Sequence, residues 1–232
     1  MVKVAAVVPA AGCGVRMGTS LKKQFLDLEG TPVVGHVLKV LENSPFVHSV
    51  VVVVSPGEEE YCRSEIVVQL GLSKVMAIVP GGNVRQKSVF NGLLALSSDT
   101  DIVVVHDAAR PLLTPEGLSA VVDAALIYGA AAQAVPVKDT IKMAGEDGFV
   151  TETLQRDRLW VAQTPQAFRY RLIIDAHRKA VEAKYTGTDD AVLVERLGQP
   201  VKLVAGSYAN LKITTPEDLI IVSAIYSKRA RR

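Results

Sequence analysis

The chain of 232 residues is 49% apolar and 22% charged, and 26 Lys and Arg against 24 Asp and Glu leave a formal net charge of only +2. These proportions exclude a disordered chain, a collagen-like repeat and a disulfide scaffold, and the length builds one large domain or two small ones. Near-neutral charge argues against a general polyanion binder while leaving room for a local cationic pocket, and 5% aromatic residues supply no stacking platform for single-stranded nucleic acid.

At the N-terminus, Lys3, the apolar run 4–8 and then Ala10-Ala11-Gly12-Cys13 have the outline of a bacterial lipoprotein signal. A single base, a short run and the interrupting Pro9 argue against it, and the run reads instead as a first strand. Further β-branched or aliphatic runs follow at 50–54, 75–79, 102–105, 130–135 and 201–204. Being continuously apolar, they suit a parallel sheet covered on both faces. Between them lie amphipathic stretches with recognisable ends: Pro32 as a first helical residue, Asn83 as a cap, Thr114-Pro115-Glu116 and Thr215-Pro216-Glu217-Asp218 as starts. Gly71, Gly129 and Gly198 fall where helix C-termini need a left-handed residue. This alternation predicts a doubly wound α/β sheet. One stretch breaks it: segments 140–143 and 149–153 flank Ala144-Gly145-Glu146-Asp147-Gly148 and read as a hairpin that leaves the sheet as an arm, at about 137–158. A hairpin standing alone is marginal in water, so a second subunit is expected against it. No internal repeat or linker divides the chain, which is read as one domain over 1–232.

Cys13 and Cys62 lie far apart without metal-ligand spacing and suit a reducing compartment. The longest purely aliphatic run, 50–54, is far short of the ~20 residues that span a bilayer, so a cytoplasmic protein without membrane contact is expected.

The first strand runs into Pro9-Ala10-Ala11-Gly12-Cys13-Gly14-Val15-Arg16-Met17-Gly18. Ligands of open α/β sheets bind outside strand carboxyl ends, so a Gly-rich turn here is well placed. Its third glycine comes one residue late for the dinucleotide fingerprint, which argues against an NAD-type oxidoreductase, and no Gly-Lys-Ser/Thr closes a Walker loop. Small residues at 10–14 admit backbone N–H groups to phosphate oxygens, with Arg16, Lys22 and Lys23 supplying charge; the competing reading is a loop of solvated bases. The fourth strand enters His106-Asp107-Ala108-Ala109-Arg110-Pro111. Asp107 there is equally suited to hold a metal or a ligand hydroxyl and to pair with Arg110 in tying down the turn, while His106, without a neighbouring His or Cys, reads as structural. Singly, Lys138-Asp139-Thr140, Arg156-Asp157-Arg158, Gln163-Thr164-Pro165-Gln166, Thr188-Asp189-Asp190 and Asn210-Leu211-Lys212 are weak signals. Thr188 with two acids is also a helix start, Lys212 also a solvent-facing strand residue, and Arg156 and Arg158 also surface charges. No Gly-x-Ser-x-Gly elbow, His-Glu-x-x-His motif or Cys cluster is present, which points to chemistry without a protein nucleophile.

Taken in order, Pro9-Ala10-Ala11-Gly12 with Arg16-Met17, Lys23-Gln24-Phe25, His106 to Pro111, Asp139-Thr140, Thr164-Pro165-Gln166, Thr188-Asp189 and Lys212-Ile213-Thr214 resemble the 2-C-methyl-D-erythritol 4-phosphate cytidylyltransferases, from residue 4 to about residue 220. The resemblance implies a Rossmann-like nucleotidyltransferase fold, a mostly parallel but mixed sheet, and a β-arm embracing the partner of a homodimer. It implies that CTP and the methylerythritol phosphate give CDP-methylerythritol and pyrophosphate, in the non-mevalonate route to isoprenoid precursors. Arg16 and Lys23 would then stabilise the transition state, with Mg²⁺ held mainly by the CTP phosphates and Asp107 as a possible protein ligand. Ala10, Ala11 and Gly12 would hold the nucleotide, and Gly81, Gly82, Asn83 and Ser88 the cytosine. Asp107, Arg110 and Thr188 would lie near sugar hydroxyls, and Thr140, Arg156, Lys212 and Thr164 would fix the methylerythritol phosphate. Thr140 and Arg156, at the two ends of the arm, would reach the neighbouring subunit's site. Lys22 departs from the Pro common before the catalytic Lys, so it competes with Lys23, and Asn83 stands where an acid is common. A sister activity on ribitol 5-phosphate is the nearest alternative, and the small Ala109 before Arg110 favours methylerythritol phosphate.

Overall fold

A computed structural model describes residues 2–12 and 22–230. Strand β1 (Val4–Pro9) is followed by a short hairpin, β2 (Asp27–Leu28) and β3 (Thr31–Pro32), and then by α1 (Val33–Asn43) and β4 (Val47–Val54). Next come α2 (Glu59–Tyr61), continuing through π-helical turns at Cys62–Val68, then β5 (Val75–Pro80), α3 (Arg85–Leu94), β6 (Ile102–Val105), α4 (Pro115–Tyr128) and β7 (Ala130–Pro136). The chain continues through β8 (Lys142–Ala144), β9 (Val150–Thr153), β10 (Trp160–Arg169), α5 (Tyr170–Glu182), α6 (Ala191–Glu195), β11 (Lys202–Ala205) and α7 (Pro216–Ala230).

Seven strands make one sheet in the order β11-β7-β10-β6-β1-β4-β5. Pairs β1/β4, β1/β6, β4/β5 and β7/β11 are parallel, and β10 enters antiparallel between β6 and β7. The sheet is therefore mixed and mostly parallel. Alternate residues of each central strand feed opposite faces, as a pleat of period two requires. Ala6, Val8, Val50, Val52 and Val104 pack with α1, α4 and the π-helical turns, whereas Ala5, Val7, Val51, Val53 and Val105 pack with α3, α5 and α6. Both layers are apolar because both faces are covered, and each buried Val or Leu contributes roughly 2 kcal/mol. At Gly92 the approach of α3 is so close that a Cβ would stand 2.5 Å from Val7 Cγ1.

The predicted helix punctuation is largely observed. Thr114 Oγ1 accepts the Gly117 N–H at 3.1 Å, Thr215 Oγ1 accepts that of Asp218 at 3.4 Å, and Gly71, Gly129 and Gly198 all have positive φ. Asn83 is a correction: α3 starts two residues later, with extended Val84 as its N-cap, and Ser88 Oγ reaches back to accept the Gly82 N–H at 3.1 Å. Strand β10 is a second, because Gln163-Thr164-Pro165 does not read as sheet. It is tolerated because the register against β7 shifts between Ala162 and Gln166, and pairing with β6 begins only at Gln166. Pro165 thus owes no N–H to either ladder. Residues 211–214 are a third, since they form no strand and Ile213 N–H donates to the Ala109 carbonyl at 2.8 Å. A third apolar cluster of Leu28, Val33, Leu112, Ile213 and Val222 pins that segment against α7.

Strands β8 and β9 pair only with each other, as a separate two-stranded sheet whose residues are all exposed.

Candidate active site

Strands β1, β4, β5 and β6 present their carboxyl ends along one edge, and the chain segments leaving them form the site. Ala10 N–H donates to Val53 O at 2.6 Å, Gly81 N–H to Val54 O at 2.7 Å, and Ser55 Oγ–H to Ala11 O at 3.2 Å, so the ends of β1 and β5 are bound through β4. A Cβ on Gly81 would lie 2.4 Å from the Ala11 Cβ, so the two turns can meet only because residue 81 has no side chain. Gln24 Nε2 donates to Ala10 O at 2.5 Å and brings Lys23 over this floor, where its Nζ donates to Ile213 O at 2.9 Å. The result is a cavity of about 270 Å³ walled by Ala10, Ala11, Gly12, Gly82, Asn83 and Ser88, with Lys23, Arg85, Asp107 and Lys212 at its charged end.

A second cavity, of about 250 Å³, adjoins it and is lined by Arg110, Thr164, Thr188 and Asp189 together with Arg85, Asp107 and Lys212. Those last three side chains belong to both. Asp107 Oδ1 accepts from Arg85 Nε at 2.9 Å and Oδ2 from Lys212 Nζ at 2.6 Å, while its main-chain N–H donates to Thr164 Oγ1 at 3.0 Å. Burial alone would raise the Asp107 carboxyl, but Arg85 and then Lys212 outweigh it and hold the group well below the usual carboxylate range. Asp107 is therefore a fixed anion between two cations. Arg110, half-buried, adds its charge to those holding Asp107 ionised, and its Nη1 donates to Asn210 O at 2.7 Å. Of the two sequence readings, the Asp107–Arg110 tie survives as a main-chain bond, Arg110 N–H to Asp107 O at 3.0 Å, while the carboxylate oxygens accept from Arg85 and Lys212. His106 is fully buried with Nε2 against Arg110 O at 3.1 Å, a structural imidazole.

Most of the expected residues come together: Lys23, Ala10, Ala11, Gly12, Gly82, Asn83 and Ser88 at the first cavity, Arg110, Thr164 and Thr188 at the second, Asp107 and Lys212 at both. Gly81 lies behind Ala11 rather than on the lining, and the Ala10 N–H is committed to Val53. Lys22 is paired with Glu58 Oε1 at 2.7 Å and does not line the cavity, so of the two adjacent lysines it is Lys23 that does. Arg16 lies outside the described residues. Thr140 and Arg156 are exposed at the hairpin base and line neither cavity, with Arg156 Nη1 donating to Lys138 O at 2.6 Å. The residue the sequence reading missed is Arg85, which also donates through Nη1 to Asp190 Oδ2 at 2.8 Å. A signal for it exists: a cation in the first turn opposes the helix dipole, so Arg at that place after Gly81-Gly82 needs an anion nearby.

A doubly wound, mostly parallel sheet with a glycine-walled pocket and a cationic junction over its strand ends defines a nucleotidyltransferase. The model of the family 2-C-methyl-D-erythritol 4-phosphate cytidylyltransferase (IspD) matches residues 4–228, and the chain belongs to that family. A 2-C-methyl-D-erythritol 4-phosphate cytidylyltransferase of Pelotomaculum thermopropionicum is 64% identical over 232 residues, covering 100% of this chain and 98% of that one. The like-named protein of Desulforamulus reducens is 50% identical, over 99% of this chain and 98% of its own. Among solved structures, 4-diphosphocytidyl-2C-methyl-D-erythritol synthase from Anaerococcus prevotii superposes with a TM-score of 0.85 at 30% identity, over 97% of this chain and 96% of that one.

Proposed function

We propose that the chain transfers the cytidylyl group of CTP to the phosphate of 2-C-methyl-D-erythritol 4-phosphate, giving CDP-methylerythritol and pyrophosphate. The carrying observation is the pair of cavities joined at Arg85, Asp107 and Lys212, which offers two anions adjoining seats across a cationic partition. A phosphate monoester is largely dianionic at neutral pH, its second pKa being about 6, so the nucleophile arrives deprotonated and needs no general base. The barrier is repulsion: two unit charges about 4 Å apart cost about 4 kcal/mol at an effective dielectric of 20, and a dianion doubles it. Neutralisation and in-line positioning therefore outrank proton transfer.

In this reading the glycine wall with Asn83 and Ser88 receives the cytosine, and Lys23, with Arg16, meets the α-phosphate as charge develops. Lys212 and Arg110 hold the sugar phosphate against it, with Thr164 and Thr188 at the polyol hydroxyls. Mg²⁺ is expected on the triphosphate, where it would offset charge. Both oxygens of Asp107 are already engaged by cations, and among the described residues no group of three His, Cys, Asp or Glu side chains could hold a metal, so no step is assigned to a protein-held ion.

The hairpin is read as the arm of a homodimer, delivering Thr140 and Arg156 to the partner's second cavity. Exposed Met143, Phe149, Val150, Trp160 and Val161 on and beside it are what such a contact would cover. No helix among the described residues is long and apolar enough to cross a membrane, and a cytoplasmic location fits the substrates. The test is to supply CTP and Mg²⁺ with methylerythritol phosphate or ribitol 5-phosphate separately and follow pyrophosphate. Release with the first is expected. Release with ribitol 5-phosphate alone, or isolation of a nucleotidylated enzyme, would overturn the reading.

A further inference from the structure

Arg85 joins two carboxylates that come from different parts of the chain. Its Nε–H donates to Asp107 Oδ1 at 2.9 Å, beyond β6, and its Nη1–H to Asp190 Oδ2 at 2.8 Å, at the N-cap of α6. Asp190 has no exposed surface, lines neither cavity, and is held on its other oxygen by His177 Nε2 of α5 at 3.1 Å. The opposite end of the series is Lys212, whose Nζ donates to the second oxygen of Asp107 at 2.6 Å. Contacts thus run unbroken from the buried layer under the sheet to the ammonium shared by both cavities.

We infer that Arg85 is a positioning residue: by taking one oxygen of Asp107 and anchoring itself on Asp190, it fixes the carboxylate that aims Lys212 at the junction. The inference rests on the reading that Lys212 meets the sugar phosphate. The two carboxylates and two cations cancel formally, so Lys212 is steered without being fully neutralised by Asp107. Without Arg85, Asp107 would have Lys212 as its main counter-charge and draw the ammonium onto itself, and a buried Asp190 would lose its cation. Only a forked donor can serve both acids from one position. Lysine, a single point charge on a flexible stem, reaches one of them.

The experiment is steady-state kinetics with CTP and methylerythritol phosphate on wild type, Arg85→Lys, Asp190→Asn and Lys212→Gln, with both double variants that carry Lys212→Gln. Arg85→Lys is expected to lower kcat roughly 10- to 100-fold, the scale of a small misplacement, with KM for CTP within about twofold. Asp190→Asn, at a residue that lines neither cavity, is expected to show the same split to a smaller degree. On the Lys212→Gln background each should cost less than about twofold, because their path ends at that side chain. Full multiplicative losses on that background, or a raised KM for CTP with kcat intact, would overturn the inference and leave Arg85 as a wall of the first cavity. If Arg85→Lys does not fold, as judged by its melting curve, the shape-conserving Asp190→Asn cycle decides alone. A wild type without turnover removes the reaction reading instead, and with it the premise.

Discussion

The junction at Asp107 and the hairpin of β8 and β9 are opposite kinds of surface. At the junction each of the two carboxylates is answered within one chain: Asp107 by Arg85 and Lys212, Asp190 by Arg85 and His177. On the hairpin the apolar side chains stay exposed. Phe149 is 75% and Val150 59% exposed, and Lys142 Nζ donates only to Thr153 across the same ribbon. A two-stranded ribbon of this size has no core of its own. The contrast separates what one chain completes, a cationic junction at the strand ends, from what the proposed dimer would leave to a second copy, the enclosure of the sugar phosphate.

Breaking the completed half should have the largest effect. Lys23→Gln or Lys212→Gln is expected to lower kcat/KM for the proposed reaction by roughly 10²- to 10³-fold, the range seen when one donor to a developing oxyanion is removed. Melting temperature should change little in Lys23→Gln, whose ammonium stands at a cavity, and fall in Lys212→Gln, which takes a counter-charge from buried Asp107. Retained turnover in Lys23→Gln would remove the electrostatic account. Next in size is the unfinished half. Arg156→Ala and Lys23→Ala subunits, each nearly inactive alone, should regain activity when mixed and re-equilibrated. Random pairing puts half the dimers in mixed form with one intact site each, so about a quarter of wild-type activity is expected. No recovery would confine the site to one chain and leave Arg156 a surface charge.

An association measurement tests the hairpin's apolar face directly. Burying a Phe contributes roughly 2 kcal/mol and a two-fold dimer buries two copies, so Phe149→Ser should weaken the proposed homodimer by about 4 kcal/mol, roughly 10³-fold by sedimentation, while the monomer's melting curve is unchanged. An unaltered association constant would move the interface elsewhere.

The split between the halves also tracks what could be read from sequence. The strands were legible because Val50 to Val54 and their counterparts are apolar without interruption, which only a sheet covered on both faces allows. Lys23, Asp107 and Lys212 were legible as ordered segments resembling one family. Strand β10 was not, because Pro165 and two glutamines hide a strand whose register shift excuses them. Arg85 was not, because its role lies in two carboxylates 22 and 105 residues away along the chain, and no local pattern encodes that meeting. Asp107 itself was half legible: the choice between tying down Arg110 and serving a ligand could not be made until Arg85 and Lys212 were seen to claim its two oxygens.

The finished junction also predicts a pH effect on stability that the exposed hairpin cannot produce. His106, directly before Asp107, is wholly buried, and that burial is the main cause pushing its imidazole from 6.5 down to about 4, only partly offset by the Arg110 carbonyl and the Asp107 charge. Between those values the unfolded chain binds a proton that the folded chain refuses, so stability falls as pH drops through the window. At pH 5 the loss is about 2 kcal/mol relative to pH 7. His36, also lowered by burial, acts in the same direction. Asp107 and Asp190 add little between pH 7 and 5, because carboxyls with an unfolded value of 3.8 are ionised there in both states; held lower in the fold, they add to the fall only below about pH 5. His106→Gln, which keeps a donor for the Arg110 carbonyl, is therefore expected to flatten the fall in melting stability between pH 7 and 5 by about that amount. An unchanged slope would mean that His106 takes up its proton in the fold as readily as in the unfolded chain, so that the junction gains a positive charge as pH falls below about 6.5.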